Sequence, residues 1–396
     1  MIKPSTNNQI NDRAGVLFIL IGLLIGRYMM IRPNRIENGA LLNFITALES
    51  TAVLFGAVFV VMLIVIFLIH TNRIKKKWLL VPSVILTFGI FILSTGISAS
   101  NHIVGLGSSA RVSLGISFWL MFAGFLLIMV QATHINPRPQ LARFIILLSV
   151  ILIIGLGYSS GLLKDISILK ELNSKSDRIW DEMVRHLQLA VFSTLTGLVL
   201  SLTLAYRAYH KPALENLIRT FVNIAQVIPT LSFLGLIMIP LTALSNSFPW
   251  LKTIGISGIG FFPAYIVLTM YTLLPMTNNI LAGLKSINKD ILQAAAGMGM
   301  NRKQQLFQVE LPLSIPAIYS GFRTAVVQAV GNTILAGLVG GGGLGSILFL
   351  GLAQSAPDLV VISALLVVSI AFILNTGLSV FESLLRKRIT GEVTHD

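Results

Sequence analysis

The sequence contains no cysteine, and this absence excludes disulfide bonds, thiolate metal sites and cysteine nucleophiles together. Its six histidines are scattered along the chain, and no two of them have the spacing of metal ligands. Charge is also scarce, because only 11% of the residues are Asp, Glu, Lys or Arg. Combined with 55% hydrophobic residues and a mean hydropathy of +0.84, this scarcity excludes a soluble domain and predicts a membrane protein.

Acidic residues are the rarer charged class, with 15 Asp and Glu against 29 Lys and Arg, which gives a formal net charge of +14. None of them lies near the middle of an apolar run, and this argues against proton coupling, which usually needs carboxylate relays at membrane depth. The positive excess does not indicate nucleic-acid binding, because no stretch interleaves basic and aromatic residues. The basic residues gather in short loops instead, which is a signal of membrane topology.

Apolar runs of membrane-spanning length are abundant. A helix needs about 20 mainly apolar residues to cross the hydrocarbon core. Ten runs approach that length, at 14–30, 51–69, 78–97, 112–129, 144–163, 187–206, 221–241, 258–276, 317–339 and 359–381. No small-residue cleavage pattern follows the first run, so we interpret it as a retained anchor rather than a signal peptide. We therefore expect an all-α polytopic membrane protein with about ten transmembrane helices.

The loops that hold Lys and Arg define the predicted orientation, because such charges stay on the cytoplasmic side. Five basic groups fall on the same side as both termini, namely Arg73 with Lys75 to Lys77, Arg138 with Arg143, Arg207 with Lys211, the group from Lys285 to Lys303, and Arg386 to Arg388. The N- and C-termini are therefore predicted to be cytoplasmic. Arg32 and Arg35 disagree with this scheme, since it places them in the first outer loop.

A segment of mixed charge from Lys164 to Arg185 separates two halves of five runs each. We predict an N-terminal membrane extension at 1–165, an extracytoplasmic linker at 166–186, a five-helix core at 187–388 and a cytoplasmic tail at 389–396. The first half does not repeat the Gly and Pro pattern of the second, which weakens an inverted-repeat transporter as an interpretation.

A polar stretch of roughly 40 residues between the eighth and ninth runs is too patterned for a slack loop. Asn288 is a good cap for a helix that Gly297 and Gly299 would end. Asn301, with Gln304 three positions later, predicts a second helix that Pro312 would stop. Two short helices joined at a glycine turn form an elbow that can dock in another protein's groove. An amphipathic loop lying on the membrane surface is the alternative.

The elbow also resembles a known motif. Gln293, Ala294 and Ala295, with Gly299 four positions later, are similar to the EAA loop of ABC importer permeases. The ending of that loop is matched by three further residues, namely Val309, Leu311 and Pro312. Two positions depart from the family pattern, because Gln293 replaces the usual Glu and Val309 the usual Ile. A Gln side chain still accepts a hydrogen bond of similar reach, although it removes the charge.

The resemblance covers 179–388, and the stretches at 225–230, 297–300 and 339–345 are most similar to permeases for osmoprotectants such as glycine betaine and choline. It implies a bacterial-type cytoplasmic membrane, a second permease subunit, a separate cytoplasmic ATPase and an extracytoplasmic substrate-binding protein as partners, besides membrane lipid. The chain has no Walker A sequence, because the glycine-rich run at 340–345 is not followed by Lys and Ser or Thr. We therefore expect no cofactor in this chain, and ATP with Mg on the partner ATPase.

Several residues of the core are candidates for the translocation path, because polar groups and helix-breaking prolines at membrane depth are costly. They are Gln226, Pro229, Thr230, Gln328, Asn332 and Thr333. A gating turn is a further candidate, formed by Gly340, Gly341, Gly342, Gly343 and Gly345. Packing hydrogen bonds, packing kinks and a simple flexible turn are the corresponding alternatives.

Three functions remain open from the sequence. The first is the permease subunit of an ATP-driven importer, coupled to a separate ATPase by alternating access. The second is an ion-gradient secondary transporter or channel that acts without an ATPase. The third is a membrane sensor or scaffold in which the first five spans are the specific part. No catalytic constellation supports an enzyme.

Overall fold

The computed structural model describes residues 6–34, 37, 39–47, 59–61, 63, 64, 66, 79–107, 109–136 and 138–390. The chain divides into two compact units, Met1–Ser174 and Lys175–Asp396. The division falls inside the segment predicted as a linker. Most of the second predicted span, the basic group at 73–77 and the last six residues of the predicted tail, 391–396, lie outside the described residues.

The first unit combines long helices with a small sheet. Its described elements are α1 (Thr6–Leu24), β1 (Met29–Arg32), β2 (Ala40–Leu42), α2 (Phe44–Ala47), α3 (Leu80–Ile103), β3 (Arg111–Leu114), α4 (Ile116–Ile135), α5 (Pro139–Ser159) and α6 (Ser167–Ser174). The strands are antiparallel in the order β2-β1-β3, and Met29 pairs with both Leu42 and Leu114. The sequence did not predict this sheet, which lies where the first predicted span was expected to end and the fourth to begin.

Helices α1 and α4 approach each other through glycines. A Cβ on Gly15 would lie 2.9 Å from the carbonyl oxygen of Gly124, and a Cβ on Gly22 would lie 2.9 Å from that of Ser117. Small residues at such crossings allow two backbones to touch, which is how helices associate in lipid without a hydrophobic driving force. These glycines therefore explain why a helix whose apolar part is as short as Ala14–Leu24 is held in the unit.

The core of the first unit is aromatic. Phe91 stacks on Phe118 with ring centroids 4.9 Å apart, and Phe91 also packs on Phe125 at 5.3 Å. Tyr28 meets this cluster edge-on, and its hydroxyl forms a hydrogen bond of 2.6 Å with Thr95. The polar atom of a fully buried tyrosine thus has a partner, as burial requires.

The second unit contains the predicted core. Its elements are α7 (Ser176–His210), α8 (Pro212–Val227), α9 (Thr230–Ser247), α10 (Trp250–Thr253), α11 (Phe261–Lys285), α12 (Lys289–Gly297), α13 (Arg302–Gln305), a π-helical segment (Leu306–Glu310), α14 (Leu311–Asn332), a 3₁₀ segment (Thr333–Val339), α15 (Leu344–Ala353) and α16 (Pro357–Thr390). Helix α7 begins well before the predicted start of the sixth span, inside the segment expected to be a linker. Helix α15 was not predicted.

Eight helices among the described residues are long and apolar enough to cross a membrane. They correspond in order to the third through tenth predicted spans, which confirms an all-α polytopic membrane protein. The seventh predicted span is broken into α8 and α9, because Ile228 and Pro229 adopt extended backbone angles between them. Apolar length predicted where the helices cross, and the break lies at Pro229, one of the helix-breaking prolines that the sequence singled out.

Close packing also joins the end of the ninth span to α15. A Cβ on Gly345 would lie 1.8 Å from the carbonyl oxygen of Ile334, and one on Gly337 would lie 2.5 Å from the backbone of Gly345. The 3₁₀ segment and α15 therefore meet backbone to backbone, and a side chain at either position has no space.

We expect Gly345→Ala to lower the free energy of unfolding by about 1–3 kcal/mol, because the added methyl overpacks this crossing. Gly377→Ala is the matched control, since nothing lies within 4 Å of a Cβ at that position in α16. The midpoint of thermal unfolding of the detergent-solubilised chain measures both. An unchanged midpoint for Gly345→Ala would contradict the close approach.

A buried ion pair ties the sheet of the first unit to α6. Arg111 Nη1 lies 2.6 Å from Glu171 Oε1, and the Glu171 side chain is only 3% exposed. Arg111→Leu should lower the free energy of unfolding by about 1–3 kcal/mol, because it removes a cation that lies against a buried carboxylate. Much of this loss should return in Arg111→Leu with Glu171→Leu, since an apolar pair has no charge to desolvate.

The exposed Lys164, replaced by Leu, serves as the control for removing a basic residue from the same unit. Thermal unfolding of the single, double and control variants provides the comparison. Equal midpoints for the single and double variants would count against a stabilising role of the pair.

Candidate functional site: coupling elbow and translocation path

The elbow begins with a capped helix. The side-chain oxygen of Asn288 accepts a hydrogen bond of 2.9 Å from the backbone N–H of Asp290, which confirms Asn288 as the cap of α12. Gly299 follows the helix with φ of +79°, a left-handed conformation that glycine adopts without strain. The predicted glycine turn after α12 is therefore present.

The second arm of the elbow differs from the prediction. Asn301 and Gln304 form the expected capping box, with reciprocal hydrogen bonds of 2.9 and 2.8 Å. Pro312 does not stop the helix, and that prediction was wrong. The chain passes from α13 through the π-helical segment into α14, and Leu311 donates to the carbonyl of Leu306, five residues back. The wider π turn lets the helix continue where a proline ring would clash in a regular α-helix.

The elbow presents small and apolar residues to the surroundings. Gln293, Ala294 and Gly299 are exposed, whereas Ala295 is buried. The three residues at the end of the EAA-like loop, Val309, Leu311 and Pro312, are half-buried. Met298 and Phe307 are exposed by 71% and 66%, so the elbow has an apolar surface at its tip that its own unit does not cover.

An ion pair anchors the membrane end of the elbow. Lys285, the last residue of α11, places Nζ 2.7 Å from both carboxylate oxygens of Glu215 at the start of α8. Arg219 donates to the same carboxylate at 3.0 Å. The hydrogen bond from Lys285, with that from Arg219, holds the pKa of Glu215 below its usual range. The carboxylate is therefore ionised at neutral pH and ties α8 to the base of the elbow.

The break at Pro229 is bridged by side chains. Pro275 has no N–H, so the carbonyl of Tyr271 one turn earlier lacks its helical partner, and Gln226 Nε2 donates to that carbonyl at 2.9 Å. The Tyr271 hydroxyl donates in turn to the carbonyl of Ile228 at the break itself. Gln226 therefore makes a packing hydrogen bond, which the sequence left open as the alternative to a role in the translocation path. Beside it, Pro229 is exposed and Thr230, the first residue of α9, is half-buried.

Helix α14 brings together the other polar candidates. Gln328 is exposed, Asn332 four residues later is half-buried, and Thr324 extends the same stripe toward the elbow. Thr333 points inward instead, where it is fully buried and donates to the carbonyl of Ala329 at 2.7 Å. Exposing side-chain amides to lipid is energetically unfavourable, so this stripe is suited to line a water-filled path or to contact another subunit.

The glycine turn follows the 3₁₀ segment. Gly340, Gly342 and Gly343 have φ of +72°, +83° and +85°, and Gly341, which is buried, donates to the carbonyl of Ala336 at 2.8 Å. Gly345 lies beyond the turn, in the first turn of α15. The turn is therefore an ordered element rather than a slack connection.

Two residues that the sequence did not single out contact this turn. Glu182 and His186 lie one helical turn apart on α7 and accept hydrogen bonds from the backbone N–H groups of Gly343 and Leu344. In the sequence, these two residues were marked only as polar residues directly before the sixth apolar run, 187–206. Across the part of the chain that the structure describes, no group of three or more His, Asp or Glu side chains could hold a metal ion.

Comparison with known families agrees with this division of the chain. Residues 197–391 match the family described as the inner membrane component of binding-protein-dependent transport systems. Residues 12–169 match the N-terminal domain of the ABC transporter permease YehY.

Individual relatives match about half of the chain. A glycine betaine/carnitine/choline transport system permease protein, OpuCB of Bacillus subtilis, is 32% identical over 197 residues, which are 50% of this chain and 83% of the relative. The choline transport system permease protein OpuBB of the same organism is 29% identical over 215 residues, 54% of this chain and 92% of that protein. The chain therefore belongs to the family of permease components of binding-protein-dependent ABC transport systems.

Proposed function

We propose that the chain is the membrane-spanning permease of an ATP-driven importer for osmoprotectants of the glycine betaine and choline class. The substrate class is supported by the relatives, whose names specify glycine betaine, carnitine and choline. The mechanism is supported by the elbow, which is the single observation that carries the proposal. Energy from ATP enters this chain through α12, Gly299 and α13, and alternating access to the path follows from the movement of the spans attached to them.

Exposure and rigidity together make the elbow suitable for docking. Both arms begin with capped helices, so their ends are ordered without help from a partner. The tip is apolar and uncovered at Met298 and Phe307. Lys285 and Glu215 fix its base to α8, while α14 continues from its second arm into the stripe of Gln328 and Asn332. A force applied at the tip therefore reaches two elements of the core.

The proposal assigns the following partners and orientation. A separate cytoplasmic ATPase docks on the elbow and holds the ATP and Mg. A second permease subunit completes the path beside α14, and an extracytoplasmic protein delivers the substrate. Both termini and the elbow lie on the cytoplasmic side of a bacterial-type cytoplasmic membrane, because the basic groups, including Lys285, Lys289 and Arg302, favour that side.

One ion pair of the core favours an ATP-driven cycle over a proton gradient. Glu382 Oε2 in α16 lies 2.7 Å from Arg323 Nη1, so the charge of this carboxylate is paired with a cation of α14, whereas a proton relay usually needs a carboxylate at membrane depth. A secondary transporter that needs no ATPase is the alternative that the tests below exclude or establish.

Gly299→Ala should lower both the amount of ATPase that copurifies with the chain and ATP-dependent uptake by about tenfold, because a left-handed residue with a Cβ costs about 1–2 kcal/mol and shifts α12 against α13. Gly297→Ala is the matched control, since it lies in α12 without positive φ. No atom lies within 4 Å of a Cβ at either position, so a clash cannot explain a difference. Copurification that survives Gly299→Ala unchanged would overturn the docking role.

Uptake of radiolabelled glycine betaine or choline tests the substrate and the energy source. Cells that co-express the chain with the ATPase and the binding protein that the proposal requires should keep uptake when an ionophore dissipates ion gradients and lose it when ATP is depleted. The chain alone in liposomes should show no concentrative uptake under an ion gradient. Gradient-driven accumulation in those liposomes would establish the secondary transporter instead.

A further inference from the structure

The ninth predicted span ends in a joint rather than in a continuous helix. Helix α14 gives way at Asn332 to a 3₁₀ segment of seven residues, longer than the three or four that such segments usually reach. Gly340 ends that segment in a left-handed conformation, and the chain turns through Gly342 and Gly343 into α15. Long 3₁₀ stretches inside helices often mark hinges.

Two side chains of α7 hold this joint on both sides. Glu182 Oε2 accepts a hydrogen bond of 2.6 Å from the backbone N–H of Gly343. His186 Nε2 lies 2.9 Å from the carbonyl oxygen of Val330, just before the 3₁₀ segment, and His186 Nδ1 lies 3.3 Å from the backbone nitrogen of Leu344, just after the glycine turn. We call Glu182 and His186, with these three backbone groups, the clasp.

The partners of His186 define its chemical form. A backbone carbonyl only accepts, so Nε2 carries the proton and donates to Val330. A backbone N–H only donates, so Nδ1 is unprotonated and accepts from Leu344. The imidazole is therefore neutral, in one tautomer, and fully buried between the two sides of the joint. One side chain spans the hinge and satisfies a group on each side of it.

We infer that Glu182 and His186 are positioning residues of an outer gate, and that the clasp holds the jointed end of the ninth span closed against α7. This inference rests on the proposed function, which places this end of α7 on the extracytoplasmic side. Substrate entry from that side requires α7 and the joint to separate, and this separation breaks the three hydrogen bonds of the clasp. The glycine turn gives the joint the backbone freedom to move once they are broken.

The glycines at the clasp pack closely against α7. A Cβ on Gly342 would lie 2.4 Å from Cδ of Arg185, and a Cβ on Gly343 would lie 3.2 Å from Nδ1 of His186. The turn thus packs directly on α7, and its backbone N–H groups reach the side chains without a water between them. A small displacement of either element is enough to lose the hydrogen bonds.

A single engineered thiol can report whether the joint opens. The chain has no cysteine, so Ala336→Cys introduces the only one. Ala336 lies in the 3₁₀ segment between the two contacts of His186 and is 2% exposed, so a closed joint hides it. A membrane-impermeant maleimide applied to the outside of intact cells that express the full chain measures its accessibility.

Glu182→Leu should speed the labelling of this thiol by about tenfold or more, because it removes the acceptor of the hydrogen bond from the Gly343 backbone N–H. Glu182→Gln keeps an acceptor oxygen and should stay within about twofold of the parent reporter. Asp181→Leu is the matched control, since Asp181 is the exposed neighbour of Glu182 on the same helix. A purely structural loss would instead lower the amount of chain in the membrane without changing the labelling rate of what remains.

His186→Leu provides an independent variant. It removes both the donor to Val330 and the acceptor for Leu344, so labelling should rise about tenfold or more. The inference is overturned if both Glu182→Leu and His186→Leu label at the parent rate, or if the parent thiol is reached only from the cytoplasmic side in inverted vesicles. Labelling needs neither ATP nor substrate, so a failure of the Gly299 test would remove the docking role and leave this result standing.

Discussion

The second unit is organised by the need to satisfy every backbone polar group inside a membrane. Water cannot bond a freed carbonyl or N–H at that depth, so each interruption of a helix needs a partner from the protein. Pro275 leaves the carbonyl of Tyr271 without its helical donor, and the side-chain amide of Gln226 donates to that carbonyl instead. The Tyr271 hydroxyl donates in the same way to the carbonyl of Ile228, which lies at the break before Pro229. Residues that look like binding groups in the sequence are therefore first of all the substitutes for missing helical hydrogen bonds.

The same requirement operates at the other end of the core. The glycine turn leaves N–H groups without helical acceptors, and Glu182 and His186 provide them. Such bonds differ from those of a regular helix because they join different spans, and they break when the spans separate. A side chain that bonds a freed backbone group of a neighbouring helix therefore stabilises the interrupted helix. Moving the two helices apart then costs the free energy of that hydrogen bond.

Local rules predicted local features well. Asn288 and Asn301 were recognised as caps because a cap depends only on the few residues that follow it. The third to tenth spans were located because apolar length suffices to place a helix in a bilayer. The passage of the helix through Pro312 was missed, since proline normally ends a helix and nothing in the sequence announces a π turn. The clasp was missed because its partners are 144 to 161 residues apart.

The π-helical segment also has a geometrical effect on everything that follows it. It adds one residue to a turn, and in an α-helix each residue advances the side chains by about 100° around the axis. Without that extra residue, the stripe of Thr324, Gln328 and Asn332 would face a different side of α14. The direction in which the amides of this span point is therefore determined at the elbow, several turns away from the amides themselves.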